Sequence, residues 1–288
     1  MRPKHLIAIV VLVGVLTVVI VVGLRRILHP SPVNPSPGAP SESTETAPLV
    51  AAAAFEAADA QAAGPDPALT GGIDGLYLQL SRALTFDLAQ VRGLAATESW
   101  FYVASVDTAR HTGMVIQVSR EHYGIVQTRE LVQDGRYRLG GLHMGASGLW
   151  VPLAGTDDDA HTTIALLELT YLGVHSSIEV DGHIRAVAQT SDKEIVGVSE
   201  DGQTLYAWNL RGRKLRSATN LSDVVYHDLA WVRGSLVAAG VSRQGDYAVL
   251  DVLDPASLTL LTRHHVYARS ASGSWVTAGG FDVCRDRF

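Results

Sequence analysis

The feature that most constrains this chain is a repeat. Gly93-Leu94-Ala95-Ala96-Thr97, followed by Trp100-Phe101-Tyr102-Val103-Ala104-Ser105, returns in weaker copies anchored at Leu142, Val187, Leu229 and Phe281. The period of about 47 residues belongs to the blade-length class, in which each unit buries its faces only against its neighbours. The first unit resolves into four short apolar runs at 94–97, 101–105, 114–119 and 125–131, and the fourth into 229–232, 235–241, 247–253 and 258–265. Asp254-Pro255 supplies turn chemistry before the last of these. No amphipathic helix of ordinary length interrupts residues 94–288, which excludes α/β folds with crossover helices. Four antiparallel strands per unit make a propeller blade. The expected fold class is therefore an all-β propeller of four-stranded blades, five in number, with six as the alternative. The last copy stops at Phe288 after its first strand, so the last blade is expected to be incomplete. Residues 76–80 or 83–88 are expected to help close it.

The propeller occupies residues 76–288 in this reading, and what precedes it has a different texture. Residues 6–24 are uncharged and dominated by Val, Ile and Leu. As a helix this run would cross most of a bilayer core. Arg25-Arg26 and His29-Pro30 follow it, where a cleaved signal would carry small residues. Residues 1–29 are therefore expected to be an uncleaved membrane anchor. Pro30, Pro32, Pro35, Pro37, Pro40 and Pro48 then open a Pro/Ser/Ala-rich stretch, residues 30–75, that cannot bury a core and reads as a flexible tether. The resulting expectation is a single-pass protein of the bacterial cytoplasmic membrane with its propeller in the periplasm. A net charge of -6 shows no basic excess, so nucleic acid is not an expected partner. The lone Cys284 cannot form an internal disulfide and reads as a packed, inert thiol.

Aligning the copies places Gly93, Gly141, Ala186, Asp228 and Gly280 just before the five anchors, and Ala95, His143, Ala188, Ala230 and Asp282 just after them. These positions share a strand face by the period of two, and strands converging on an axis leave little room there, which accounts for the glycines and alanines. Asp228, His143 and Asp282 depart from that rule, and each either finds a polar partner near the axis or contributes to a site. Strand direction alternates within a blade, so turns from second to third strand share a rim with the connections that lead into each next blade. That rim gathers Asp107 to His111, Glu200, Arg243, Arg92, Arg136, Arg138, His183, Arg185 and His227. A ligand is expected over the axis on this side. The residues nominated for acid–base chemistry are His183, His227, Asp228 and Asp107, and those nominated for ligand binding are Arg92, His143, Arg185 and Asp282. Asp157-Asp158-Asp159 with His161 lacks the alternating ligands and glycine bend of a calcium loop and reads as a solvated hairpin tip. No metal site is expected, and nothing in the pattern points to a particular cofactor.

The chain carries no Gly-x-Ser-x-Gly elbow, phosphate-cradling glycine loop, His-Glu-x-x-His helix or paired Cys-x-x-Cys. The segment Leu205-Tyr206-Ala207-Trp208-Asn209-Leu210-Arg211-Gly212-Arg213-Lys214-Leu215 resembles the strand, turn and strand of quinoprotein-type propeller repeats, which implies fold alone. Val91-Arg92-Gly93-Leu94 with Phe101 to Asp107 resembles the first blade of glutaminyl cyclotransferase-type propellers, but Arg92 and Val103 replace that family's glutamine and acidic residue, so its catalysis does not carry over. Tyr102 to Asp107, Gly140 to Pro152 and His183 to Ala188 together resemble an uncharacterised group of extracytoplasmic bacterial propeller proteins. These features imply a binding module for a small molecule or protein on the propeller rim. The competing expectation is a hydrolase or lyase with an acid/histidine site there.

Overall fold

The computed structural model describes residues 17–22, 77–83, 88–156, 159–191, 193–232, 234–267, 269 and 273–282. Strands are numbered in chain order. β1 (Thr17–Val22) and β2 (Tyr77–Ala83) form an antiparallel pair of their own. The first blade follows as β3 (Val91–Ala96), β4 (Trp100–Asp107), β5 (Thr112–Ser119) and β6 (Ile125–Glu130). The second contains β7 (Arg138–Leu139), β8 (His143–Gly145), β9 (Gly148–Ala154), β10 (His161–Leu167) and β11 (Val174–Asp181). β7 and β8 both pair with β9 and are the two halves of one broken innermost strand. The break faces Pro152, a residue that cannot donate to a ladder and is tolerated in sheets only at such interruptions. The third blade is β12 (Ile184–Ser191), β13 (Glu194–Ser199), β14 (Thr204–Asn209) and β15 (Lys214–Thr219). The fourth is β16 (Val224–Val232), β17 (Ser235–Ser242), β18 (Ala248–Leu253) and β19 (Leu260–Val266). Within each blade, strands pair antiparallel in chain order.

Burial falls from the second strand of each blade to the fourth. Every residue of β9 is buried, whereas β6 is exposed at all but one position. The central strands are covered on both faces because successive blades pack face to face, so they read as continuous apolar runs instead of alternating ones. One core lies between the first two blades (Tyr102, Val115, Leu139, Leu149), another between the second and third (Trp150, Ile164, Ile195, Trp208), and a third between the third and fourth (Val196, Leu205, Tyr226, Leu229). A buried carboxylate of the fourth blade is fully paired. Asp251, fully buried in β18, accepts from Arg263 Nε at 2.9 Å, from Arg263 Nη2 at 2.7 Å and from the Tyr226 hydroxyl at 2.7 Å. Burial and the neighbouring Asp251 carboxylate push the Tyr226 hydroxyl above the ordinary tyrosine range.

Four blades are therefore complete among the described residues, not the five or six expected from the repeat. The fifth copy supplies only an innermost segment. Residues 273–282, with a 3-10 turn at Val276–Ala278, run between β16 and β3. Phe281 packs there on a core with Val232, Val237 and Leu250 of the fourth blade. The expected contribution of residues 76–80 to closure is not made, because Tyr77–Ala83 pairs with Thr17–Val22. That pairing also departs from the helix expected over residues 6–24, most of which lie outside the described residues. Thr17–Val22 is β-branched throughout, a composition that favours strand unless a bilayer imposes helix. No helix of the described residues is long and apolar enough to cross a membrane. Cys284, Asp157 and Asp158 lie outside them as well. Asp159 does not project into solvent as a hairpin tip would, because it accepts from Arg136 Nε at 2.6 Å.

Candidate functional site

The positions before the five anchors do meet around the axis. Gly141 bridges Ala186 in parallel, Gly280 abuts Gly93, and the Phe281 N–H donates to Asp228 Oδ2 at 2.7 Å. A Cβ on Gly93 would sit 2.6 Å from the Gly140 carbonyl oxygen and from the Leu142 nitrogen, so crowding by backbone accounts for the glycine. The axis is filled, and a charged group in it is the exception that needs explaining. Asp228 is 0% exposed, with Oδ1 accepting the Leu229 N–H at 2.9 Å. Burial raises its pKa well above the ordinary value, opposed by the two backbone donors and reinforced by Asp282. Its carboxyl group is a structural latch that holds the C-terminal segment in the ring.

One residue earlier, the strands share another feature. The registers of β3, β12 and β16 with their neighbours slip between Val91 and Gly93, between Ile184 and Ala186, and between Tyr226 and Asp228. Each slip is a β-bulge with one extra residue: Arg92, Arg185 and His227. A bulge re-aims the side chain it frees from the ladder. In the second blade the break between β7 and β8 takes its place, and the equivalent residue is Gly140. Gly140 has no side chain, and Arg138, which shares its face, fills the position. These side chains converge with Glu200, from the turn after β13, in a pocket also lined by Leu139, Ile184 and Ala278. It is a small recess open to solvent, with free room for about one water molecule while Glu200 occupies it.

Glu200 Oε1 lies 3.2 Å from Arg185 Nη2 and 3.8 Å from both Arg92 Nη1 and Arg138 Nη2. The Arg185 Nη1 group sits 2.7 Å from His227 Nδ1. A guanidinium can only donate, so Nδ1 accepts and the imidazole is neutral with its proton on Nε2. Burial, then Arg185 and Arg92, push the His227 pKa down to about 4. Burial likewise holds Arg92 below the usual arginine range, with Arg185 and Arg138 adding to the effect and Glu200 opposing it. Arg185 Nε is buried without an acceptor.

Of the residues nominated from sequence, the pocket brings together Arg92, Arg185 and His227. The four nominated for acid–base chemistry do not meet. Asp228 points into the axis, while Asp107 caps its own turn by accepting the Ala109 and Arg110 N–H groups at 3.0 and 3.1 Å. His183 contributes its backbone carbonyl to the Glu200 N–H at 2.8 Å, and its ring does not line the pocket. His143 and Asp282, nominated for ligand binding, do not line this pocket. They follow the anchors, with His143 buried in β8 and Asp282 Oδ2 accepting the Ala96 N–H at 2.7 Å. Sequence reasoning placed Arg138 and Glu200 on the right rim without nominating them. The missing side chain at Gly140 was the signal for Arg138. Among the described residues, no three His, Cys, Asp or Glu side chains are grouped to hold a metal ion.

Fold and site together define a β-propeller with a filled axis and a polar pocket at one mouth. No family model matches the sequence, and no curated protein matches it. Similar solved structures include a protein of unknown function from Bacteroides caccae, at 13% identity and a TM-score of 0.47, over 64% of this chain and 63% of that one. The hydrazine synthase of Kuenenia stuttgartiensis is similar at 14% identity and a TM-score of 0.43, over 63% of this chain and 50% of that one. The Dos1 propeller is similar at 11% identity and a TM-score of 0.42, over 67% and 52% of the two chains. This chain thus spans less than two thirds of the length of each.

Proposed function

We propose that this chain is a membrane-tethered, extracytoplasmic β-propeller that binds a ligand at its axial mouth and does no chemistry of its own. It is read as one of the group of bacterial extracytoplasmic propellers that its first three repeats resemble. The observation that carries the binding reading is the convergence of Arg92, Arg138, Arg185 and His227, one from each blade, on one pocket. A scaffold that places a bulge in the innermost strands of three of its four blades, and aims the freed side chains at one point, has the form of a recognition surface. The hydrolase or lyase reading has less support. His227 has Nδ1 occupied by Arg185 and a pKa far below neutrality, and Asp228 is committed to two backbone donors. The apolar run at 6–24 and the proline-rich stretch after it support the anchor and tether.

Two experiments test this. A thermal-shift screen with anionic, neutral and cationic small molecules should give ligands whose stabilisation is lost in Arg185→Met. Ligands indifferent to that substitution would place binding elsewhere. Protease added to spheroplasts should release the propeller by cutting within residues 30–67, and a protected domain would reverse the orientation.

A further inference from the structure

We infer that the ligand of the mouth pocket is a small oxyanion, a carboxylate, phosphate or sulfate group, and that Glu200 is an internal competitor for its place. This rests on the pocket being the binding site proposed above and goes further by assigning its chemistry. Arg138 has other partners besides Glu200. Arg92 and Arg185 alone carry two positive charges against the single carboxylate of Glu200. That carboxylate is shared thinly: Oε1 is within hydrogen-bonding distance of Arg185 but 3.8 Å from Arg92, longer than a hydrogen bond. The Arg185 Nε–H is buried with no acceptor, a state that costs free energy until an oxygen arrives. His227, neutral with its proton on Nε2, adds a donor and no charge. The pocket therefore presents donors from three blades, an excess of cation and one exposed-edged carboxylate with side-chain exposure of 34% that can be displaced toward solvent. Planar guanidinium forks suit oxyanions in particular, because two parallel N–H groups meet two oxygens.

The test uses the full-length protein with inorganic phosphate, sulfate and acetate as probes and with chloride and glycerol as controls, titrated by calorimetry at low ionic strength, where screening is weakest. The wild type should bind the oxyanions weakly and the controls not at all. Glu200→Gln, which keeps shape and removes the competing charge, should tighten oxyanion binding by about tenfold. Arg185→Met should abolish it, and Arg92→Gln serves if that variant fails to fold. Unchanged affinity in Glu200→Gln overturns the inference, as does oxyanion binding that survives both arginine substitutions. If Arg185-dependent ligands prove neutral or cationic while the oxyanions fail, the pocket stands as the binding site and its assigned chemistry falls. If no ligand depends on Arg185, both fall.

Discussion

Replacing Asp228 by alanine removes the acceptor for two backbone N–H groups, those of Leu229 and Phe281, at a position with no exposure. Each buried donor left without an acceptor costs about 1–3 kcal/mol. The two together give a loss of about 3–5 kcal/mol, and for a domain of this size about 6–20 °C in Tm. Asp228→Asn keeps one acceptor oxygen and should lose about half as much. Acidity makes the prediction sharper. The folded-state pKa of Asp228 lies above its ordinary value of 3.8, so the folded protein retains a proton that the unfolded chain has released. The stabilisation from this carboxyl is thus fully present below pH about 3.8 and is lost as pH rises through the folded-state value. Urea denaturation of wild type, Asp228→Ala and Asp228→Asn across pH 4–9 measures the effect. Asp228→Ala should trail most at the acid end, and Asp228→Asn should gain on the wild type as pH rises. Equal stability of Asp228→Ala and wild type, or a gap that widens toward alkaline pH, would refute the latch.

Other expectations follow from the same geometry. His227 is depressed in the folded state, from 6.5 to about 4, so its contribution is present above pH about 6.5 and is lost as pH falls toward 4. At most about 3 kcal/mol is involved. A histidine-resolved NMR titration should show one ring that stays neutral at pH 5.5, and a normal titration there would refute the neutral assignment. Asp251→Ala strands the Arg263 guanidinium and the Tyr226 hydroxyl and should cost about 3–5 kcal/mol. The double variant with Arg263→Met should recover part of this in denaturant melts, and no recovery would mean the pair is not coupled. Gly93→Ala drives a methyl to 2.6 Å from two backbone atoms and should cost about 2–3 kcal/mol. Wild-type stability in that variant would mean the axis has slack.

How much of this was legible in the sequence can be judged residue by residue. Gly93, Gly141, Ala186, Asp228 and Gly280 were readable as the inner ring because steric crowding leaves a compositional mark, and Asp228 stood out because it broke that mark. The rim was readable from strand parity alone, and every charged residue of the pocket lies on it. The bulges were not readable. One extra residue at Arg92, Arg185 or His227 changes no composition and no period, yet it decides which neighbour faces the mouth. His227 and Asp228, adjacent in sequence, thereby reach opposite surroundings, one cationic and open, the other dry. The count of complete blades was misjudged because a repeat can return as one inner segment without its outer strands, as residues 273–282 do. Residues 77–83 could be assigned to closure only by their apolar pattern, which does not specify a partner.

The recurring bulge separates two jobs that most strand residues perform at once. Arg92, Arg185 and His227 are outside the ladder register, so their identity is not dictated by the pairing that holds the blades together. Three of the four blades thus offer one interchangeable socket each on a common ring. Exchanging the occupants of those sockets would rewrite what the mouth recognises while leaving the folding instructions of the chain intact, which makes this ring a natural starting point for engineering new specificities.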